Sequence, residues 1–386
     1  MNRQLVVALL AFATVLAGVP APAAAAVGQA APQQTAACTF PVTVTDATGT
    51  EVTITDDPER VVTTNPSAAQ TMWELGARDE VVGVSQYAMY LDGAADKGNV
   101  SGSGGLNVEA VIGLEPDLVL VPNSSYNAEP DRIEQLRSAD IPVVVFESGE
   151  SLAAVADKTE RVGRMTGNCE AGVERAAEMR DSMANMEQAL DGAERPVGLN
   201  SFFGYSSGSG TFISDIMTTA GLRNGAAEAN LTGFAQINEE LVVEMNPEYI
   251  VVPDHAPVPS SPAYNSTTAM QEGNVIVIEA HKLQQPAPRA IEASEAILEA
   301  VHPDAYERYQ QLETESATAS TESATETTTA ADATATDATE TESAESTEAT
   351  TTTESSDSTT ESDAPGFGVV AGLAAIGAAV LLARRR

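Results

Sequence analysis

His255 and His281, each with carboxylates nearby, carry the donor types of a zinc or iron site. No close-spaced pair of ligands supports such a site, and a histidine at the end of a strand more often hydrogen-bonds a ligand or solvent. No glycine-rich loop runs on to Lys-Ser or Lys-Thr, so there is no P-loop, and no serine stands in a nucleophile elbow. Gly102-Ser103-Gly104-Gly105 does not follow a strand as a dinucleotide fingerprint must, and reads as a flexible loop. These residues give no foundation for an enzyme.

The elements that would position them alternate between two periodicities. Phe40 to Thr55 alternates around Ala47-Thr48-Gly49 and reads as a β-hairpin. Short apolar runs follow at Val61-Val62, Val81 to Val84, Leu118 to Val121, Val143 to Phe146, Val197 to Phe203, Tyr249 to Val252 and Val275 to Ile278, with helical stretches between them. Strands alternating with helices imply βαβ units and parallel sheets. Val173, Ala176, Ala177, Met179, Met183, Met186 and Leu190 recur at helical spacing, which predicts one long helix that Gly192 and Pro196 terminate. A final helix is predicted from Ala290 to Val301.

An internal repeat sets the architecture. Leu106-Asn107-Val108-Glu109 through Pro116 to Pro122 matches Ile237-Asn238-Glu239-Glu240 through Pro247 to Pro253, at a constant offset of 131 and without a gap. Each copy reads as a capped short helix, a turn at Pro and a buried strand. The fold class is therefore α/β, with two lobes joined by a single long helix. The expected boundaries are a leader at 1–26, a linker at 27–39, lobes at 40–167 and 194–311 around an interlobe helix at 168–193, a stalk at 312–364 and a terminal segment at 365–386.

Composition and the two ends define the compartment. With 56 acidic and 19 basic residues the formal charge is −37, which excludes a nucleic-acid binder because nothing neutralises phosphates. Such acidity, with three lysines, resembles the proteins of salt-loving organisms, such as halophilic archaea. Arg3, the apolar stretch Leu5 to Leu16 and the small residues at 21–26 read as a cleaved secretory signal. From Glu313 to Asp363 the chain is almost only Thr, Ser, Ala, Glu and Asp, which predicts an extended, solvated and glycosylated stalk. Asn99, Asn123, Asn230 and Asn265 lie in glycosylation sequons. Pro365-Gly366-Phe367 then opens an apolar run closed by three arginines, and the whole tail resembles the PGF-CTERM sorting signal of archaeal surface proteins. That resemblance implies removal of the apolar helix in favour of a lipid anchor; a permanent membrane helix is the alternative, and either way the body is tethered outside. Outside the cell Cys38 and Cys169 are free to form a disulfide, the alternative being two buried thiols.

The body resembles the extracytoplasmic substrate-binding proteins of importers for cobalamin, ferric siderophores and haem. The residues that carry this are Arg60-Val61-Val62, Asn65-Pro66-Ser67, Glu74-Leu75-Gly76, Val82-Gly83-Val84, Gly210-Thr211-Phe212-Ile213, Ala220-Gly221-Leu222-Arg223-Asn224 and the two repeat blocks, spanning residues 40–308. The resemblance implies two Rossmann-like lobes that clasp one ligand, with Glu109 and Glu240 docking on arginines of an ABC permease dimer served by a cytoplasmic ATPase. A carboxylate just inside an Asn-capped helix also suits the helix dipole, but the dipole does not require the pairing.

Ligands of open α/β sheets sit beyond the carboxyl ends of the strands, which selects Asn65, Pro66, Gln86, Tyr87, Tyr126, Tyr205, His255, His281, Lys282 and Gln284. Phe234 and Tyr87 also match aromatic positions of cobalamin-binding members, whereas Ser103 stands where those members have a tryptophan. Trp73 reads as core packing. Siderophore complexes are commonly anionic, and the expected loops offer only Lys282 and Arg289, so a bulky, nearly neutral cobalamin is the expected ligand, a ferric siderophore or haem the alternative. No cofactor is expected. A surface metal-dependent enzyme and an adhesion protein are rivals from other classes; the stalk and anchor suit adhesion, but adhesion leaves the two-lobe repeat unexplained.

Overall fold

Alternation is the rule in the first two strands, β1 (Val42–Thr45) and β2 (Glu51–Ile54), where every second side chain is buried. They pair antiparallel with Val42 opposite Ile54, and the Asp46 carboxylate holds the turn by accepting from the amides of Thr48 and Thr50. The computed structural model describes residues 38–147 and 149–332. The leader, most of the linker, the rest of the stalk and the terminal segment lie outside the described residues.

The N-terminal lobe continues through β3 (Val61–Thr63), α1 (Pro66–Glu74), β4 (Val81–Val84) and β5 (Gly98–Asn99). A small hairpin of β6 (Ser101–Gly102) and β7 (Gly105–Leu106) leads into α2 (Val108–Gly113), β8 (Leu118–Pro122), α3 (Asn123–Ala128), α4 (Pro130–Arg137) and β9 (Val143–Phe146). Five of these strands form a parallel sheet in the order β5-β4-β3-β8-β9. Its strands are apolar on both faces because helices cover both. Val61, Leu118, Leu120, Val144 and Phe146 enter one core, and Val62, Val119, Val121, Val143 and Val145 the other. Trp73 lies against the first of these cores, its indole N–H donating to the carbonyl of Asp92.

Two helices follow, α5 (Leu152–Met165) and α6 (Cys169–Ala189), and both reach from lobe to lobe. Leu152 belongs to the C-terminal lobe's core while Val162 and Met165 belong to the N-terminal one. In α6 the order is reversed, with Ala171 against the N-terminal core and Met186 and Ala189 in the other. Val155, Ala156, Ala176 and Met179 fill the seam between the two helices. Gly163 and Gly172 let the backbones touch: a Cβ on Gly163 would lie 2.8 Å from the Gly172 Cα. The long interlobe helix is where the heptad-like Ala and Met spacing puts it, and α5 doubles it into an antiparallel brace.

The C-terminal lobe repeats the plan with β10 (Val197–Asn200), β11 (Tyr205–Ser207), α7 (Phe212–Thr219), β12 (Arg223–Asn224), α8 (Gly225–Glu228), β13 (Phe234–Gln236), α9 (Glu239–Met245) and β14 (Tyr249–Pro253). It ends with α10 (Pro262–Asn265), α11 (Thr268–Glu272), β15 (Val275–Ile278), α12 (Ala280–Leu283) and α13 (Ala290–Val301). The order β12-β10-β14-β15 is again wholly parallel, and β11 pairs with β13 in a separate ribbon.

The repeat survives in detail. Asn107 caps α2 by accepting from Ala110 N at 3.1 Å, and Asn238 caps α9 by accepting from Leu241 N at 2.8 Å. Val111 and Val242 are the buried anchors of these helices. The residue before each proline is left-handed, Glu115 at φ 45° and Asn246 at φ 43°.

One expectation is corrected. The last helix, α14 (Pro303–Asp332), runs into the stretch expected to be extended. Ala and Glu are good helix formers, and the first turns are docked: Tyr309 donates to Glu295, and Asn185 of α6 donates to Glu313 at 2.8 Å.

Cys38 and Cys169 form a disulfide across 131 residues of sequence, tying the start of the body to the start of α6. Removing a crosslink around so long a loop costs about 2–4 kcal/mol. The C38S/C169S variant is therefore expected to unfold at lower denaturant, and thiol titration of the unfolded, unreduced wild type to find no free thiol.

Candidate ligand cleft and docking residues

In each sheet the strand order turns back on itself once. β4 and β8 lie on opposite sides of β3, and β12 and β14 on opposite sides of β10. Such switch points are where α/β sheets take ligands. The N-terminal lobe delivers Asn65 and Pro66 after β3, and Pro122 and Ser124 around the end of β8. With Gln284, Gln285 and Pro286 from the opposite lobe they line a cavity of ≈ 190 Å³. Ligand pockets are usually about 300–1,000 Å³, so this cavity by itself is smaller than the site of a bulky ligand.

Across the C-terminal switch point stand Phe203 and His255, ring centroids 5.7 Å apart. Phe203 and Gly204 are the two central residues of a tight turn, at φ 47° and 82°, closed by backbone hydrogen bonds in both directions between Phe202 and Tyr205. Positive φ at both central positions is the type I′ geometry, which favours Asn-Gly and strains a phenylalanine. Phe203 nonetheless exposes 60% of its surface. Around it, Phe202 stacks on Tyr205 at 6.1 Å and meets the edge of Phe234 at 6.0 Å. On the facing lobe Tyr87 is 68% exposed, beside Met89 and Tyr90.

Behind the aromatics a polar seam closes the lobes on each other. The Glu74 carboxylate of α1 receives Arg289 of the C-terminal lobe at 2.7 Å and Arg175 of α6 at 3.2 Å. Gln70, fully buried, accepts from the Arg289 amide and donates to the His281 carbonyl and the Tyr90 hydroxyl. Tyr90 in turn donates to Gln285 and stacks on the His281 ring at 4.7 Å. Lys158 of α5 donates to the Pro286 carbonyl in the cavity wall. Burial, and then the neighbouring charge of Arg161, pull its ammonium from 10.5 to about 8.

A lysine with a lowered native pKa binds fewer protons folded than unfolded between those two values, so stability rises with pH across that window. The side chain keeps part of its surface in water, which limits the gain to about 2 kcal/mol. Wild-type protein is expected to gain that much between pH 7 and 10 in denaturant titrations, and the K158M variant to lose the rise.

Several expected residues find other duties. Tyr126 has other contacts: Asn123–Ala128 is helical, and its half-buried ring packs against the N-terminal core beneath Arg137, with its hydroxyl on Glu134. Lys282 is not a free cation, because Glu279 at 2.8 Å and Glu292 at 3.1 Å claim it. His281 serves the seam through its ring and its carbonyl. Asn65 lines the cavity but spends its side chain capping α1, accepting from Ala68 N and donating to Ser67. Gln86, Tyr87, Tyr205, Phe234 and His255 stand at least partly exposed near strand ends. Phe203, Tyr90, Gln70 and Glu74 are brought to the cleft and seam by the structure; of these the Phe203-Gly204 pair carries a sequence signal, an aromatic where turn chemistry prefers Asn. Among the described residues no three of His, Cys, Asp and Glu gather as metal ligands.

Glu109 and Glu240 are the second residues of α2 and α9, both exposed, one on each lobe.

Two parallel-sheet lobes on a helical brace, with a cavity at the switch point of one and exposed aromatics at that of the other, define a two-lobe ligand-binding protein. The periplasmic binding protein family model matches residues 61–281, and the chain belongs to that family. A cobalamin-binding protein of Halobacterium salinarum is 43% identical over 281 residues, covering 69% of this chain and 75% of the relative. Among solved structures, the vitamin B12-binding protein BtuF of Vibrio cholerae is similar with a TM-score of 0.56 at 22% identity, covering 64% of this chain and 98% of that one. The heme-binding protein RhuT of Roseiflexus sp. RS-1 gives 0.57 at 24% identity, covering 63% and 98%. Residues 364–386 match the PGF-CTERM motif, which indicates attachment to the cell surface through the C-terminus, with the binding body outside.

Proposed function

We propose that this protein captures cobalamin between its two lobes at the cell surface and hands it to the permease of an ABC importer, acting by binding rather than catalysis and without a cofactor of its own. The carrying observation is the balance of charge and aromatic surface in the cleft. Both cations expected there are neutralised, Lys282 by Glu279 and Glu292 and Arg289 by Glu74. The lysine in the cavity wall, Lys158, has its ammonium on the Pro286 carbonyl and is pulled by burial to about 8, which weakens it as a partner for an anion. Tyr87, Phe203, Tyr205 and Phe234 keep their rings exposed on the two sides. An anionic ferric chelate asks for unpaired arginine or lysine, whereas a large, nearly neutral corrinoid asks for apolar faces and a few hydrogen bonds. The 43% identity to a cobalamin-binding protein supports the same ligand. The Glu109 and Glu240 pair supports delivery to a permease dimer with its ATPase on the far side of the membrane.

The test is calorimetry on the full chain in concentrated salt, with cobalamin, haem and several ferric siderophores titrated in parallel. Sub-micromolar binding of cobalamin alone is the expected result. Binding of haem or a ferric chelate with none of cobalamin would overturn the ligand while leaving the transport role.

A further inference from the structure

Large apolar side chains that stand in water are few on the described body, and most belong to the cleft. Beyond Tyr87, Met89, Tyr90, Phe203, Tyr205 and Phe234 there remain Ile112, Val173, Val243, Val258 and Val277. A single exposed aliphatic residue needs no explanation. Ile112 and Val243, however, are separated by the same 131 residues as Glu109 and Glu240, and each follows its glutamate by three positions. They are 41% and 51% exposed, while the residue before each, Val111 or Val242, is fully buried. In a helix, residues three apart are neighbours about 5–6 Å apart at their Cβ atoms. Both lobes therefore present the same two-part patch, a carboxylate with a branched aliphatic side chain beside it. Neither valine nor isoleucine is demanded there by the cap, the core or the turn, all of which are satisfied by other residues of the block.

Resting on the docking role given above to the glutamates, we infer that Ile112 and Val243 are part of the same contact, each seating in an apolar socket beside the cation that meets its neighbouring carboxylate. The partner is a membrane permease surface that offers this cation-and-socket patch twice, as a two-fold symmetric dimer does. The paired acids argue against a lipid surface, since anionic headgroups would repel them. The chemistry also suits the conditions under which so acidic a chain works. At about 1 M salt the screening length is roughly 3 Å, so carboxylates act only at contact. Apolar contact is not screened, and water-excluding neighbours are what let a charge pair keep its strength.

The experiment compares cells that lack their own copy and carry full-length wild type, I112S/V243S, I112L/V243L or E109K/E240K. It reads uptake of labelled cobalamin in cells, together with cobalamin affinity and thermal midpoint of each purified chain. I112S/V243S is expected to lower uptake about ten-fold or more with affinity and midpoint unchanged, and I112L/V243L to retain it. Full uptake by I112S/V243S alongside lost uptake by E109K/E240K overturns the apolar contact and leaves the docking role standing. Full uptake by E109K/E240K overturns the docking role itself. Weakened cobalamin affinity in I112S/V243S also overturns the inference, because it places the two side chains in the ligand site or in folding.

Discussion

Reversing Glu109 and Glu240 together to lysine is expected to abolish import while leaving ligand affinity and stability in place. Each carboxylate is exposed at the second position of a short helix whose cap is a separate residue, Asn107 or Asn238. Lysine there opposes the helix dipole by about 0.3–1 kcal/mol per site, too little to unfold a lobe. Against a cationic partner the same change turns two attractions into two repulsions, and like charges forced together cost several kcal/mol. Uptake should therefore fall to background, and the single reversals should lie between. Titration of cobalamin into the purified double variant checks the other half. A loss of affinity there would place the glutamates in the cleft.

The second large effect concerns the exposed rings. Removing Tyr87, Phe203 and Phe234 in one Y87A/F203N/F234A variant is expected to weaken cobalamin binding by about 10²–10³-fold, at roughly 1–1.5 kcal/mol per aromatic contact. Phe203 supplies the internal control. Its turn prefers Asn-Gly, so F203N alone relieves backbone strain of order 1 kcal/mol while it removes a contact. Thermal midpoint should rise as affinity falls about ten-fold. A ring that served only packing would give a fall in the midpoint and unchanged binding. K282Q, by contrast, should leave affinity nearly unchanged, since its ammonium already belongs to Glu279 and Glu292.

Much of the fold was legible because it rests on local patterns. The buried runs at Leu118–Pro122 and Tyr249–Pro253, the Asn caps and the prolines after them are all read within a dozen residues, and the ungapped repeat doubled every such signal. The helix at Ala290–Val301 carries its own 3.6-residue stripe. What was not legible depends on partners far off in sequence. Gln70 and Glu74 look like ordinary positions on a helix until His281 and Arg289, more than 200 residues on, close against them. The Leu152–Met165 helix gives no sign in sequence that its two ends enter different cores. The strand-end rule brings Tyr126 near the cleft but says nothing of the helical turn that sets its ring under Arg137. The ion pair of Lys282 with Glu279, three residues before it, is an i,i+3 partnership visible in the sequence.

The two repeat blocks have a mechanical meaning as well. From α2, one turn at Pro116 leads into β8, whose far end supplies Pro122 and Ser124 to the cavity. From α9, one turn at Pro247 leads into β14, whose far end supplies Asp254 and His255. In each lobe the helix with the exposed glutamate and the residues at the cleft thus stand at opposite ends of one strand. The α5–α6 brace and the Glu74 seam are what hold the two lobes at their present angle. On the docking role proposed for Glu109 and Glu240, a partner that holds both helices holds the starts of the two strands whose ends reach the cleft.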